Sequence, residues 1–319
     1  MDGRPCRARH DGGVPENGLA ALVVNGARAG RLAGLLAAFP ALAAARGYAA
    51  SALLTTPADS GEGAARAALA AGATVVIAAG GDGTVRACAQ VLAGTAVPLA
   101  IVPAGSANLT ARALGLPRGL TAALETGLSG ADRRLDLVAV DGLVCVAMAG
   151  LGVDAAVVGA TRDRHKRLAG WPAYAAAALR QLRAPLTEVS IRLDDRAPLV
   201  RRARGVAVGN TGLLPGGFPI LPAARPDDGL LDVGILAPAS LADWVSVGYR
   251  AVAGSRRDDS RLERFQARSV EIRAAAALPR QVDGEMIAPG RELSARVLPG
   301  ALRVRVTARG RPRRGPRPG

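Results

Sequence analysis

Residues 74–86 read TVVIAAGGDGTVR, and this stretch decides the fold of the N-terminal half of the chain. The apolar, β-branched run at 74–79 predicts a buried strand, and the pattern after Thr84 predicts a helix. The glycines of the GGDG run between them let the backbone adopt positive φ and approach a ligand closely. Backbone N–H groups that lead into a helix favour phosphate, and Asp82 within the loop could hold Mg²⁺. The alternative is a tight turn that binds no ligand.

The order strand, turn, helix recurs on both sides of this loop. Further strands are predicted at 20–25 (AALVVN), 51–55 and 98–102 (PLAIV), and helices at about 30–46, 63–71, 84–92 and 109–114. This alternation predicts a parallel sheet wrapped by helices, and ligands of such sheets bind beyond the carboxyl ends of the strands. The turn at Asn25 and the loops at 80–84 and 105–108 are therefore expected along one edge of the sheet.

The loop at 105–108 reads GSAN and is the second candidate for nucleotide contact. The hydroxyl of Ser106 and the amide of Asn108, next to Gly105, can hydrogen-bond a phosphate or a ribose. Serine and asparagine are also common N-cap residues, so capping of the following helix is the alternative.

The pattern changes near residue 132. From there to about residue 300, short β-type runs are separated by turn signals, and one helical insert is predicted at about 171–183. The second half therefore reads as an antiparallel β-sandwich. The fold class is α/β plus all-β, with a Rossmann-like parallel-sheet domain followed by a sandwich domain.

Two acidic motifs lie in the second half. Residues 225–232 read RPDDGLLD, which is either a turn into a strand or a group of oxygen ligands around a hard cation. Residues 282–285 read VDGE, and by itself this pair of acids is typical of a surface turn.

Composition favours anionic partners. The chain of 319 residues carries a net charge of +15, and its basic tail (RGRPRRGPRPG) is either a flexible arm or a tether to anionic lipid. Aromatic residues make up only 3%, so few bases could stack and no nucleic-acid partner is expected. Three scattered cysteines, without a secretory signal or a convincing transmembrane segment, predict a cytoplasmic protein.

Taken together, the motifs resemble the diacylglycerol kinase catalytic family, which includes bacterial lipid kinases. That family is related to sphingosine and ceramide kinases and, more distantly, to NAD kinases. The matching segments follow the family order from about residue 20 to 307: VVNGARAG, AAGGDGTV, VPAGSANLTARALGLP, AGLGVDAAVV, GNTGLLPGGFPILPAARPDDGLLDVGIL and QVDGE. GGDGT alone is shared with NAD kinases, whereas the later segments are more specific.

The resemblance implies two domains with a cleft between them. The expected boundaries are a flexible tail at 1–18, a nucleotide-binding domain at 19–131 completed by a returning segment at about 296–307, a lipid-substrate β-sandwich at 132–295, and a basic flexible tail at 308–319.

It also implies roles for particular residues. The positions that match ATP contacts are Asn25, Gly80, Gly81, Asp82, Gly83, Thr84, Gly105, Ser106 and Asn108. Asp283 matches the acid proposed as general base on the lipid hydroxyl, with Glu285 beside it. The carboxylate of Asp228, with the carbonyls of Arg225 and Leu230, matches a metal site of bacterial members that is distinct from the Mg²⁺ carried by ATP.

The expected function is an ATP- and Mg²⁺-dependent lipid kinase that phosphorylates the hydroxyl of a lipid such as diacylglycerol. The partners are then ATP and a lipid substrate at an anionic membrane surface, reached by peripheral association, and sandwich edge strands allow a homodimer. Ala87 and Leu109 stand where the family often has acids. Two alternatives therefore remain: a kinase of soluble substrates like the NAD kinases, or a non-catalytic nucleotide- or lipid-binding protein.

Overall fold

The computed structural model describes residues 18–152, 185–212, 220–252 and 260–307. Strands in these residues form one sheet of 14 strands, parallel in the N-terminal half and antiparallel in the C-terminal half. The predicted helical insert at 171–183 and most of both predicted tails lie outside the described residues. None of the described helices is long and apolar enough to cross a membrane.

Four parallel strands form the N-terminal part of the sheet, in the order β4-β3-β1-β2. They are β1 (Gly18–Val24), β2 (Tyr48–Leu54), β3 (Ala73–Gly80) and β4 (Leu99–Pro103). β1 and β3 are buried along almost their whole length, because helices cover both faces of a parallel sheet. This explains why they read as continuous apolar runs, and it confirms the predicted parallel architecture.

Five helices connect and cover these strands: α1 (Ala33–Ala44), α2 (Glu62–Ala70), α3 (Asp82–Leu92), α4 (Leu109–Ala113) and α5 (Leu120–Ser129). The sequence did not predict α5, since its threonines and Gly127 are weak helix formers. Packing stabilises this helix: a Cβ on Gly127 would lie 2.8 Å from the Cβ of Ala100 on β4. The helix backbone therefore approaches the sheet more closely than a larger residue would allow.

The C-terminal half is built from antiparallel pairs around its own buried cluster, as predicted. Its strands are β5 (Ala131–Val140), β6 (Leu143–Cys145), β7 (Met148–Gly152), β8 (Thr187–Leu193), β9 (Leu199–Ala203), β10 (Gly205–Gly209), β11 (Leu231–Leu236), β12 (Leu262–Ala267), β13 (Ser269–Val282) and β14 (Glu285–Val306). A helix that the sequence did not predict, α6 (Leu241–Val252), is capped by Asp243, whose carboxylate accepts the N–H groups of Ala239 and Ser240.

The 22 residues of β14 join the two halves. Its first part pairs with β13 and its middle and end with β5, while Val304 aligns in parallel with Leu99 of β4. The last strand therefore reaches the parallel sheet, and residues near its start lie in the antiparallel part. The exact division of the chain into domains stays a prediction.

Candidate active site

Two glycine loops touch each other at the carboxyl edge of the parallel sheet. Gly81 is the N-cap of α3, and Gly105 follows β4. A Cβ built on Gly105 would lie 2.5 Å from the Cα of Gly81, which is closer than real Cβ atoms approach. The loops at 80–84 and 105–108, which the sequence placed along one edge, are thus in backbone contact, and glycine permits that contact.

The turn after β1 is tied to both loops. The side-chain amide of Asn25 donates to Oγ1 of Thr84 at 3.1 Å, and its backbone N–H donates to the carbonyl of Ala79 at 3.0 Å. Arg28 donates from Nη1 to the carbonyl of Ala104 at 2.8 Å, just before the second loop. Three segments that are far apart in sequence therefore form one continuous rim.

Asn108 shapes its loop and does not cap α4 through its side chain. Its φ is +48°, its Oδ1 accepts the N–H of Gly105 at 2.8 Å, and its Nδ2 donates to the Gly105 carbonyl at 3.0 Å. The N-terminus of α4 is instead met by Asp82, whose Oδ1 accepts the N–H of Thr110 at 3.4 Å. Ser106 is exposed in the same loop.

Asp82 is a strongly perturbed acid in the glycine loop at 80–84. Burial, and then the nearby carboxylate of Asp283, raise the pKa of Asp82 to about 6. Backbone N–H groups of α4 oppose this shift without cancelling it. A carboxylate in this environment gains from a cation or from a hydrogen-bonded proton, because either one offsets the cost of a buried negative charge.

This shift has a consequence for stability. The native pKa of Asp82 lies above its ordinary value of 3.8, so the folded chain binds this proton more tightly than the unfolded chain. Stability of the wild type relative to Asp82→Asn is therefore expected to rise as pH falls from about 6 to about 4, by about 2–3 kcal/mol. Urea unfolding of both proteins across pH 4–7 without Mg²⁺ measures the difference. A difference that is independent of pH would contradict the buried-acid description.

Asp283 occupies the turn between β13 and β14. Its φ is +49° and that of Gly284 is +78°, as in a type I′ hairpin turn. The Asp283 carboxylate, 2% exposed, accepts hydrogen bonds from the thiol of Cys145 and from the backbone N–H groups of three successive residues, two on the turn before β7 and the first residue of β7. The backbone donors are Val146 at 2.7 Å, Ala147 at 2.7 Å and Met148 at 3.1 Å. Burial raises the pKa of Asp283, although these hydrogen bonds act in the opposite direction.

Glu285, the first residue of β14, faces the glycine loop at 80–84 and is more exposed than Asp283. Its carboxylate packs over Gly83, where any Cβ would clash with it, and it forms an ion pair with Arg86 of α3. The side chain of Glu285 is 30% exposed. The structure thus places both predicted catalytic acids beside the loop at 80–84, one anchored by backbone amides and the other at the surface of the loop.

The acidic motif at 225–232 forms the turn before β11. Leu230 donates its N–H to Asp228 at 3.2 Å, and Gly229 donates to the buried carboxylate of Asp136 at 2.6 Å. Burial raises the pKa of Asp228, and the carboxylates of Asp136 and Asp227 add to the shift. Arg133 forms an ion pair with Asp227, with 2.6 Å between Nη2 and Oδ2. The turn that the sequence offered as one alternative is present.

The residues at this turn suit a hard cation by their chemistry. Partial burial disfavours the negative charge of the Asp228 carboxylate, so a cation beside it would be favourable. The neighbouring backbone carbonyls offer oxygen ligands of the kind that Mg²⁺ and Ca²⁺ prefer. No group of three or more acidic, histidine or cysteine side chains in the described residues could hold a metal. A cation here would therefore depend on Asp228 and on main-chain oxygens.

Sequence reasoning missed two residues of this rim. Thr55 follows β2, is buried, and accepts the N–H of Gly26 with its Oγ1 at 3.2 Å. The rule that found the other loops, a polar residue at the carboxyl end of a parallel strand, would have found Thr55 as well. Arg86 follows Asp82 by one helical turn, but its pairing with Glu285, 199 residues later, left no local signal.

Comparison with known proteins agrees with this arrangement. Residues 20–140 match the diacylglycerol kinase catalytic domain, and residues 147–306 match the YegS C-terminal NAD kinase beta sandwich-like domain. A probable lipid kinase YegS-like of Pseudomonas aeruginosa (strain UCBPP-PA14) is 37% identical over 248 residues, 76% of this chain and 79% of the relative. A diacylglycerol kinase of Bacillus subtilis is 29% identical over 243 residues, 75% of this chain and 80% of the relative.

Solved structures show the same fold. A diacylglycerol kinase structure from Bacillus anthracis has a TM-score of 0.63 at 20% identity and covers 92% of this chain and 98% of its own. An NAD kinase from Archaeoglobus fulgidus in complex with ATP has a TM-score of 0.52 at 14% identity, covering 91% of this chain and 94% of its own.

These matches and the glycine-loop site define a kinase, a phosphotransferase with an alcohol acceptor. More narrowly, the chain belongs to the diacylglycerol kinase catalytic family, among relatives named as YegS-like lipid kinases.

Proposed function

We propose that this kinase uses ATP and Mg²⁺ to phosphorylate the hydroxyl of a membrane lipid such as diacylglycerol. The observation that carries the proposal is the convergence of the glycine loop at 80–84 with the hairpin that bears Asp283 and Glu285. A phosphate site and a candidate proton acceptor are thereby adjacent, as phosphoryl transfer to an alcohol requires.

The glycine loops are proposed to hold the triphosphate. Backbone N–H groups at the start of α3 and the rim formed by Asn25, Thr84 and Asn108 would position the nucleotide, with Gly105 and Ser106 beside it. Mg²⁺, when bound with ATP, would supply charge neutralisation for the phosphates. Asp82 is the loop carboxylate suited to face that ion, because its buried negative charge has the most to gain.

In the proposed transfer of the γ-phosphate to the lipid hydroxyl, Glu285 and Asp283 have different roles. The lipid hydroxyl oxygen forms a bond to the γ-phosphorus, the bond from that phosphorus to the β–γ bridging oxygen breaks, and ADP leaves. We assign the hydroxyl proton to Glu285, which lies over the loop and is partly exposed. Asp283 is assigned to positioning, because backbone amides and a thiol already occupy its carboxylate and it holds the hairpin against the turn before β7.

The cation site is proposed to stabilise the second half. Asp228 and the carbonyls of Arg225 and Leu230 would hold a divalent ion apart from the nucleotide. Two buried oxygens nearby in the fold, Oδ1 of Asn210 and Oδ2 of Asp232, have no hydrogen-bond partner in the part of the chain that the structure describes, which fits a region that favours positive charge.

Millimolar Mg²⁺ is therefore expected to raise the thermal midpoint of the wild type in the absence of nucleotide, through binding to the folded state alone. Asp228→Asn should abolish this increment. Asp195→Asn, which alters an exposed acid on the loop after β8, is the matched control and should retain it. An unchanged Mg²⁺ increment in Asp228→Asn would remove Asp228 from the site.

Charge and exposed apolar residues support access from a membrane surface. The chain carries +15, and Met286, adjacent to Glu285, is 41% exposed. A basic surface gains about 1 kcal/mol per well-placed Lys or Arg on anionic lipid. Peripheral membrane association is therefore part of the proposal, as is homodimer formation through an edge strand such as β12.

The deciding experiment is γ-phosphate transfer from labelled ATP with Mg²⁺ to a lipid extract in mixed micelles, with Glu285→Gln in parallel. A labelled lipid formed only by the wild type supports the proposal, and chromatography identifies the acceptor. Transfer to NAD that needs no detergent would indicate a soluble-substrate kinase. Nucleotide binding without any transfer would indicate a non-catalytic protein.

A further inference from the structure

Arg86 is a cation of the site that the expected nucleotide contacts do not include. It lies on α3 four residues after Asp82, so the two side chains share one face of the helix. Its Nη2 forms an ion pair with Oε2 of Glu285, and its side chain is 14% exposed. A guanidinium is therefore held against the proposed proton acceptor, within one helical turn of the glycine loop.

The ion pair leaves Arg86 incompletely satisfied. Its Nε is buried and has no hydrogen-bond partner among the described residues, whereas Nη2 is engaged by Glu285. A buried donor without a partner costs about 1–3 kcal/mol. A planar guanidinium can instead bind a phosphate through two parallel hydrogen bonds, one of which can come from Nε. An anion next to the loop would therefore satisfy Arg86 better than Glu285 does.

We propose that Arg86 binds the terminal phosphate of the nucleotide and that Glu285 holds it in place only while no nucleotide is bound. On binding, the guanidinium exchanges the carboxylate for oxygens of the γ-phosphate. The exchange frees the Glu285 carboxylate for the acceptor hydroxyl at the moment the phosphate arrives. The inference rests on the proposed function for the identity of the nucleotide, but its test needs no lipid and no turnover.

The exchange predicts opposite effects from the two partners of the ion pair. Arg86→Gln should weaken binding of a non-hydrolysable ATP analogue about 10- to 100-fold, as expected for loss of a charged hydrogen bond, and should change ADP affinity less than about twofold. Glu285→Gln should tighten analogue binding, because the competing carboxylate is removed. The double variant should match Arg86→Gln. Calorimetric titration of the full chain with Mg²⁺ measures all three.

Two further variants keep the test decisive. Arg66→Gln breaks an exposed ion pair with Glu62 on α2 and should leave both nucleotide affinities unchanged. Arg86→Lys keeps the charge but loses the planar donor pair, so it should fall between wild type and Arg86→Gln. If Arg86→Gln lowers the thermal midpoint too far for titration, the ratio of analogue to ADP affinity in Arg86→Lys still reports the phosphate contact.

A purely structural ion pair gives a different pattern. Arg86→Gln and Glu285→Gln would then both weaken the analogue and ADP to the same extent, or leave both unchanged, and either result overturns the inference while nucleotide binding by the wild type stands. A wild type that binds no nucleotide would overturn the proposed function itself, and this inference with it.

Discussion

Glu285→Gln is expected to reduce kcat for lipid phosphorylation by about 10²- to 10⁴-fold, the usual contribution of a positioned general base. Glutamine keeps the shape of the side chain over Gly83 but cannot accept the hydroxyl proton. The chain should remain folded, since Glu285 is partly exposed. Steady-state turnover with saturating ATP and lipid in micelles, together with a thermal midpoint, measures both expectations.

Asp283→Asn is the informative companion. It is also expected to abolish turnover while nucleotide still binds, but for a different reason and with a cost to folding. The amide NH₂ of asparagine would face a backbone N–H that the carboxylate now accepts, so one buried donor loses its partner, at about 1–3 kcal/mol. If Asp283→Asn lost turnover without losing stability, and Glu285→Gln stayed active, then Asp283 would be the general base. An unchanged kcat would remove Asp283 from the reaction altogether.

Gly105→Ala is expected to produce the second large effect, on nucleotide binding. The added Cβ would lie 2.5 Å from the Cα of Gly81 and 2.6 Å from Oδ1 of Asn108. Neither neighbour can yield cheaply, because one is backbone and the other locks the loop through two hydrogen bonds. The loops must separate, so we expect at least a tenfold loss of ATP affinity and about 1–3 kcal/mol of destabilisation.

Gly119→Ala is the matched control for this substitution. Gly119 is the N-cap of α5 and has a φ of −73°, and apart from its two chain neighbours no atom of the described residues would lie within 4 Å of its Cβ. Its stability and ATP affinity should therefore stay within about 0.5 kcal/mol of the wild type. Titration with ATP and urea unfolding compare the two alanine variants directly. Equal behaviour of both would show that the contact between the loops is not needed for binding.

Much of the site could be predicted from local chemistry. Gly81, Asp82 and Asn108 were candidates because they follow buried strands at the edge of a parallel sheet where ligands bind, and the family resemblance then favoured nucleotide contact over a plain turn or a helix cap. Helices were harder. α5 and α6 were missed because their stability comes from packing and from the Asp243 cap rather than from strong intrinsic propensity.

The two hairpin acids illustrate what sequence could not resolve. Asp283 and Glu285 are two residues apart in the same motif, and both side chains are carboxylates. The type I′ turn directs the two side chains to different surroundings. The carboxylate of Asp283 is buried among backbone amides, whereas that of Glu285 is partly exposed over the glycine loop. The resemblance implied that Asp283 is the general base with Glu285 beside it, and the difference in surroundings is the reason why we propose Glu285 for that role instead.

The sequence by itself determined the alternation of strands, glycine turns and most helices of the parallel half, and with it the edge of the sheet where we propose that phosphate binds, because these follow from hydrophobic periodicity and from the backbone freedom of glycine. Only the tertiary structure decided which acid meets the loop, that Arg86 pairs with Glu285, and that β14 spans both halves. Those features are contacts between segments 199 residues apart for Arg86 and Glu285 and 205 residues apart for Leu99 and Val304, and they arise from packing rather than from any local pattern.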